Sequence, residues 1–487
     1  MVGSLIRAVK EVFTEKQLMP LLSISNEQRQ ELKRKLPDFP SEEEVRRIAN
    51  KFELKAEHFY FVNKSMPCYC YYEFPAYVTI DVFNDIFFDY MMVKQRIMAV
   101  REEAMKSWER KDYDKISMIA EDNAKVLLFN KMYWLISDEV KYDLYKEIYR
   151  LLDYGHSQID KAIQQDVWSH QPVEKKIEVG QLLDEDYQDD MLTVYRGEGS
   201  QSTPYNQAMS WTTSFNVACF FATRISSDLQ SKIYRARVKK ENVLDYDNSR
   251  NEKEVIVFPD HLEDAEQVQM PLLLDEWGEL QADGHLDEYF LYKNTFIKPS
   301  HYKHPDGIHG VPHVKRVLFH AITLSRVLGL SDSDRAILVN ASIYHDIGRK
   351  HDFHCTMHGE WSWNQYVRDI SIRDPLIEIN CVNKRLKGEE EGYDVRKLTL
   401  DEVRIVKFII ENHCRDDEES QQILQGMSLP KKVKDRYWKL YEVFKDCDGL
   451  DRVRLPRNEL DVKYFRTEEA KNRLIFSYQV QNHTTKL

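Results

Sequence analysis

The chain has neither a disulfide framework nor a membrane anchor. Of its 487 residues seven are cysteines, and only Cys68 and Cys70 stand close together. That excludes the dense pairing of small secreted scaffolds and points to a reducing interior. No apolar run reaches the roughly twenty residues a membrane-crossing helix needs, and the opening stretch is interrupted by Arg7 and Lys10, unlike a secretory leader. A soluble, cytoplasmic protein with no membrane partner is the expectation. Repeats and low-complexity tracts are lacking too, which excludes a solenoid.

A general cationic excess is also missing. The net charge is −12, yet residues 301–487 hold 31 Lys+Arg against 29 Asp+Glu, so the acidity lies before residue 301. This argues against a broad phosphate-gripping face there, while leaving room for a local groove. Eleven of the 16 histidines fall after residue 300. The densest basic run, Lys431 to Lys439, leads toward Asp448 and reads either as an anion-attracting element near a site or as a solvated helix face.

What the C-terminal third does contain is a set of metal-ligand residues. His309-Gly-Val-Pro-His313 opens a stretch of helical apolar spacing through Leu328, with Gly329 as its stop. Ser331 and Asp334 form a capping-box-like start for a second helix that runs toward Ile347, carries the pair His345-Asp346 and meets Gly348. Acids interrupt an apolar face in Phe444-Lys-Asp-Cys-Asp448-Gly-Leu-Asp451-Arg452, and an inward carboxylate there needs a cation or another partner. A mixed His/Asp set suits Mn, Fe, Ni, Co, Zn or Mg, and Cys447 alone makes no thiolate site.

This stretch, about residues 305–455, resembles the HD superfamily of metal-dependent phosphohydrolases, whose pattern is a His, a His-Asp pair and a distant Asp on a helical bundle. The resemblance implies His313, His345, Asp346 and Asp448 as ligands to a divalent metal, with Asp448 preferred to Asp446 because Leu450 and Asp451 follow it. It implies His358 and His413 as further ligands of a two-metal site, which would clamp attacking and leaving oxygens. Arg349, Asp451 and Arg452 are candidate phosphate or supporting groups.

A second pattern stands apart. Leu192-Thr-Val-Tyr195-Arg196-Gly197 reads as a strand, Met209-Ser-Trp-Thr-Thr-Ser214 follows a polar loop, and 216–223 reads as a helix with Val217, Phe220 and Phe221 inward. A strand from Ile233 to Val238 comes next, and Asn251-Glu252-Lys253-Glu254 runs into Val255-Ile-Val-Phe258. An Arg at a strand end can hold a diphosphate, a Ser/Thr strand can line a nucleotide cleft, and a Glu can grip a ribose hydroxyl. The order resembles the mono-ADP-ribosyltransferases of the Arg-Ser-Glu class. It implies NAD as substrate, Arg196 on its phosphates, Ser210 and Thr212, or Thr212 to Ser214, in the cleft, and Glu254 on the ribose and its developing cation. Glu252, expected on the same strand face by period two, would orient an acceptor, either a protein arginine or nucleic acid.

The expected fold is multidomain α+β. A helical region spans 1–180, with a capping box at Ser41-Glu-Glu-Glu44 and helices near 85–110, 115–136 and 139–159. Its dense tyrosine and phenylalanine from Phe59 to Tyr90 read as core. A mixed α/β ADP-ribosyltransferase-like domain spans 181–300, in which 260–300 is a linker or elaboration, and an all-α HD bundle spans 301–487. The function implied is a bifunctional enzyme, moving ADP-ribose from NAD to a macromolecule and hydrolysing a nucleotide-type phosphate ester, in keeping with a toxin-like or antiphage role. The alternatives are an HD phosphodiesterase with a nucleotide-binding regulatory middle domain, and a binding protein with decayed sites.

Overall fold

The aromatic density of the N-terminal third belongs to a sheet. The computed structural model describes residues 14–64, 67–152, 156–200, 202–224, 229–381, 393–456 and 460–483; the chain start considered above lies outside them. The chain divides into two compact units, Met1–Leu182 and Leu183–Leu487.

In the first unit β1 (Leu18–Pro20), β2 (Phe59–Val62), β3 (Cys68–Glu73) and β4 (Ala76–Ile80) form an antiparallel sheet in chain order. Phe59, Phe61, Tyr69 and Tyr71 pack with Val45, Ile48 and Phe88 on one face, while Val62, Cys70, Tyr72 and Tyr77 pack with Leu127 and Leu128 on the other. Burial on both faces removes the polar half of the alternation, which is why the strands read as unbroken aromatic runs. Helices make up most of this region as expected, the sheet being the part that was not expected, and the aromatics are core as read. The expected helix over 85–110 is two helices, Asp85–Tyr90 and Val93–Glu109, broken at Met92 with φ +49°. Shorter helices, Tyr113–Ile119, Lys125–Met132 and Asp138–Leu151, replace the other two. Ser41 and Glu44 form the capping box, Glu44 N donating to Ser41 Oγ at 3.2 Å and Ser41 N to Glu44 Oε2 at 2.7 Å.

The second unit joins a sheet to a helical bundle. The strands are β5 (Met191–Glu198), β6 (Ser210–Thr212), β7 (Lys232–Lys239), β8 (Val243–Asp247), β9 (Glu254–Val257) and β10 (Glu263–Val268). Their order is β10-β7-β5-β6-β9-β8, and every pairing is antiparallel. Helix α1 (Phe215–Thr223) lies on β5 and buries Val217, Ala218, Cys219 and Ala222, with Phe220 half-buried against the core as expected and Phe221 half-buried beside it.

The bundle comprises α2 (Val311–Val327), α3 (Asp332–Tyr344), α4 (His358–Gln365), α5 (Leu400–Asn412), α6 (Lys431–Leu450) and α7 (Leu474–Asn482). Gly329, at φ +58°, follows α2, and the Ser331 side chain caps α3 by accepting from Asp334 N at 3.2 Å. Sheet and bundle share one apolar core: Ala218, Cys219 and Ile233 belong to the same buried cluster as Phe319 and Phe476. Polar ties run beside it, Tyr478 Oη donating to Asn216 Oδ1 at 2.8 Å and Asn482 Nδ2 to the Thr223 carbonyl at 3.1 Å. Residues 260–300 are not a linker. They hold the edge strand β10 and two helices, Leu273–Asp283 and His285–Phe296, whose Leu280, Tyr289 and Phe296 enter the bundle core.

Gly197 is where α1 meets β5, since a Cβ there would stand 1.9 Å from the Ala218 carbonyl oxygen and 2.6 Å from Ala222 N. Gly197→Ala is expected to cost about 1–3 kcal/mol through forced displacement of α1. Gly180→Ala, at a helical position with nothing within 4 Å, is expected to be neutral or to stabilise by up to about 1 kcal/mol. Denaturant titration of both variants checks the contrast.

Candidate functional site

Four histidines and two aspartates converge from five parts of the bundle. His313 is in the first turn of α2, where Pro312 starts the helix without needing a backbone donor. His345 and Asp346 follow α3, His358 opens α4, His413 caps α5, and Asp448 lies near the end of α6. Two glycines let the backbones close around them. A Cβ on Gly348 would lie 2.3 Å from Ser362 N in α4, and one on Gly359 would lie 2.3 Å from the Ile410 carbonyl in α5.

Each imidazole uses Nδ1 to hold its orientation. His313 Nδ1 lies 2.7 Å from Asp451 Oδ2, His345 Nδ1 2.9 Å from the Ser342 carbonyl, His358 Nδ1 2.7 Å from that of Cys355, and His413 Nδ1 2.7 Å from that of Ile410. With Nδ1 as the donor, Nε2 presents a lone pair. The Nε2 atoms meet in pairs, His313 with His345 at 3.1 Å and His358 with His413 at 2.9 Å. Two lone pairs at that separation repel unless a proton or a cation lies between them.

Asp346 stands between the pairs. Its Oδ2 lies 3.6 Å from Nε2 of both His313 and His345 and 3.0 Å from His309 Nδ1. Its Oδ1 lies 3.2 Å from His358 Nε2 and 3.6 Å from His413 Nε2. Asp448 Oδ1 is 3.4 Å from His313 Nε2. Donor atoms of His313, His345 and Asp448, of His345, Asp346 and His413, and of His358, His413 and Cys414 each cluster closely enough to hold a metal ion. The residues therefore fit a cation at each histidine pair, with the Asp346 carboxylate between.

The electrostatics agree with this geometry. Burial pushes the Asp346 carboxyl up, but His345, His309, His358 and His413 outweigh it and hold the group well below the usual carboxylate range. At Asp448 burial is likewise outweighed by His313, His345 and His413. Burial takes His313 well below its ordinary value and His413 down to about 4, so both are neutral, as ligation requires. His358 is raised to about 10 despite burial, because it bonds to Asp346. A proton on His358 answers the repulsion at that pair, and a cation would displace it.

The residues open onto a cavity of about 710 Å³ lined by His309, Asp346, Asp448, Arg349, Lys445 and Arg454, among others. Lys445 and Arg349 supply positive charge at the centre, whereas the Lys431–Lys439 run begins about 25 Å away along α6 and is mostly exposed; it is the solvated face. Asp446 turns elsewhere, accepting from the backbone of Arg466 and Thr467. Five residues of the site were not assigned from the sequence: His309 on Asp346, Cys414, Lys445 and Arg454 in the cavity wall, and Arg316, whose Nη2 donates to Asp451 at 3.1 Å. The Cys414 signal was legible, since it adjoins His413.

The sheet brings together part of the second pattern. Thr212 of β6 pairs with Tyr195 of β5 and Glu254 of β9. Ser210 Oγ donates to Glu254 Oε1 at 2.6 Å, across the diagonal of the ladder. Arg196 reaches the same strand, donating through Nη1 to the Ser210 carbonyl at 2.7 Å and through Nη2 to that of Thr203 at 2.8 Å. Thr212 Oγ1 is structural, donating to the Glu252 carbonyl at 2.6 Å and accepting from Ser214 N at 3.0 Å. Ser214 caps α1 by accepting from Val217 N at 3.4 Å. Glu252 is not on the strand face expected for it, because the strand begins at Glu254 and Lys253 between them has φ +46°. The two carboxylates still converge on Arg250, at 3.0 Å and 3.9 Å.

In comparison with known proteins, the chain matches no family model, no curated protein and no solved structure. Among the described residues no helix is long and apolar enough to cross a membrane.

If the histidine pairs hold cations, Mn(II), Co(II) or Zn(II) added after chelation raises the melting temperature, with about 2.7 kcal/mol gained at a hundredfold excess over Kd. Asp346→Asn, which removes the charge between the pairs, is expected to abolish most of that gain in a thermal melt.

Proposed function

We propose that the bundle is a two-metal phosphohydrolase acting on a nucleotide-type phosphate ester. The observation that carries this is the Asp346 carboxylate set between two imidazole pairs whose lone pairs face each other at 3.1 Å and 2.9 Å. His313, His345 and Asp448 would hold one divalent ion, His358 and His413 the other, and Asp346 both. Bound there, the pair supplies Lewis-acid polarisation of a phosphoryl oxygen and a lowered pKa for water.

The chain's own residues do the rest. Asp451 accepts from His313 Nδ1 and so fixes the tautomer that leaves Nε2 as a donor of electrons. Lys445, Arg349 and Arg454 line the cavity and offer cationic donors to non-bridging phosphate oxygens. The cavity volume lies within the range of small-molecule sites.

The sheet supports a second activity, transfer of ADP-ribose from NAD to a protein or nucleic acid. The specific support is that Arg196, Ser210 and Glu254 come from three strands and are joined by direct hydrogen bonds. In this reading Glu254 stabilises the ribosyl cation, Glu252 presents the acceptor, and Arg196 exchanges a backbone carbonyl for a diphosphate oxygen. The alternative, a nucleotide-binding regulator of the hydrolase, would use the same Arg and Ser without turnover.

Two assays test these readings in the full chain. Metal-dependent hydrolysis, measured on a nucleotide and phosphodiester panel, is expected to fall at least about 10³-fold in Asp346→Ala. A chelator-insensitive or unchanged rate rejects the metal role. With labelled NAD and lysate, DNA or RNA, label on a macromolecule is expected to vanish in Glu254→Ala. If no acceptor is labelled and NAD is not consumed, the regulator reading replaces the transferase.

A further inference from the structure

The two histidine pairs are not chemically equivalent. Around His313 and His345 the additional donors are carboxylates, Asp346 and Asp448. Around His358 and His413 the additional donors are one oxygen of Asp346 and a sulfur. The donor atoms of His358, His413 and Cys414 all lie within 4.8 Å of one another. Ligands bonded at about 2.0–2.3 Å to one ion stand within about 4 Å of each other, so an adjustment of about 1 Å closes the set. Asp346 Oδ1 borders the same two imidazoles, 3.2 Å from His358 Nε2 and 3.6 Å from His413 Nε2. Cys414 Sγ now donates to the Thr356 carbonyl at 3.1 Å, a weak bond that ligation would replace.

We propose that Cys414 is a thiolate ligand at the His358/His413 position, which makes this a softer site than its neighbour and selects a thiophilic ion there. This rests on the metal-centre reading above. On binding, the S–H bond breaks, its electron pair stays on sulfur as the donor pair, and the proton leaves to solvent. The resulting N2OS set suits Zn, Fe(II) or Co(II), whereas the N2O2 set at His313, His345, Asp346 and Asp448 also accepts Mn(II) or Mg. Two other cysteines are near in sequence to the site but differ in placement. Cys355 lines the same cavity and its thiol borders His358, but it is not among the donor groups gathered closely enough to hold an ion, and Cys447 is fully buried in the core.

Cobalt(II) titration of the reduced, metal-stripped full chain reads the two positions separately. The expected result is visible d–d bands together with a near-ultraviolet sulfur-to-cobalt charge-transfer band in wild type and in Cys355→Ser. In Cys414→Ser the charge-transfer band is expected to disappear while d–d bands and bound cobalt persist, and zinc affinity to fall at least about 10-fold. Wild type that binds cobalt without a charge-transfer band overturns the proposal, as does a band that survives Cys414→Ser or is lost in Cys355→Ser. Wild type that binds no cobalt by elemental analysis overturns the metal centre itself, and the thiolate with it.

Discussion

The bundle is organised around one buried carboxylate. Asp346 is 4% exposed, and an isolated carboxylate so far from water would cost several kcal/mol. The fold surrounds it with five histidines, His309, His313 and His345 toward one oxygen and His358 and His413 toward the other. His309 and a protonated His358 can donate to it, and the Nε2 lone pairs of the other three reach it only through a shared cation. Those histidines come from separate helices and a loop, so satisfying Asp346 fixes how α2, α3, α4 and α5 meet. Gly348 and Gly359 follow from this, because side chains there would hold α4 away from α3 and α5 and part the rings that must converge.

A further layer keeps the rings from turning. Asp451 is fully buried and accepts from both His313 Nδ1 and Arg316 Nη2, while Arg454 Nη1 lies 3.3 Å away. Asp451 thus sits between two guanidinium partners, and by accepting from His313 it holds that ring with Nδ1 as the donor. Arg454 also lines the cavity, so the network that orients the ligand continues to the surface a phosphate would meet. Anion recognition can therefore be local in a chain of net charge −12. Arg466 and Arg415 are paired with carboxylates, the first with Asp417 and the second with Glu360 and Glu419, whereas Arg349 and Lys445 are held by backbone carbonyls.

That these histidines and aspartates converge was legible in the sequence because helix grammar and the spacing of His and Asp coincide. Pro312 opens α2 beside His313, and Gly348 follows the His345-Asp346 pair at the end of α3, so the helix signals nearest the ligands are the ones that place them. The choice of Asp448 over Asp446 follows the helical turn: residues two apart on a helix face different ways, so one reaches His313 and the other caps the segment at Thr467. The N-terminal sheet was illegible for a physical reason. Its strands are covered on both faces, and a run such as Cys-Tyr-Cys-Tyr-Tyr has no period to distinguish it from a buried helix. Glu252 was misplaced because period-two reasoning assumes extended backbone, and Lys253 leaves it at φ +46°.

The boundary expected near residue 300 is absent from the packing, and the reason bears on how the two halves work together. The helices over 273–296 fill the bundle core, and α7, at the far end of the chain, lies against α1 of the sheet. Ser214, which caps α1, adjoins the Ser/Thr strand, and Gln479 of α7 donates to the Leu229 carbonyl at 2.9 Å just before β7. The sheet residues Arg196, Ser210 and Glu254 are thus carried on strands whose covering helix is held by the bundle. Local opening of such a shared core exposes apolar surface from both halves at once, so sheet and bundle are expected to behave as one cooperative body. A separable fragment ending near residue 300 would leave α1 uncovered, along with Leu280, Tyr289 and Phe296. That argues for keeping residues 183–487 together in any test of the two proposed activities.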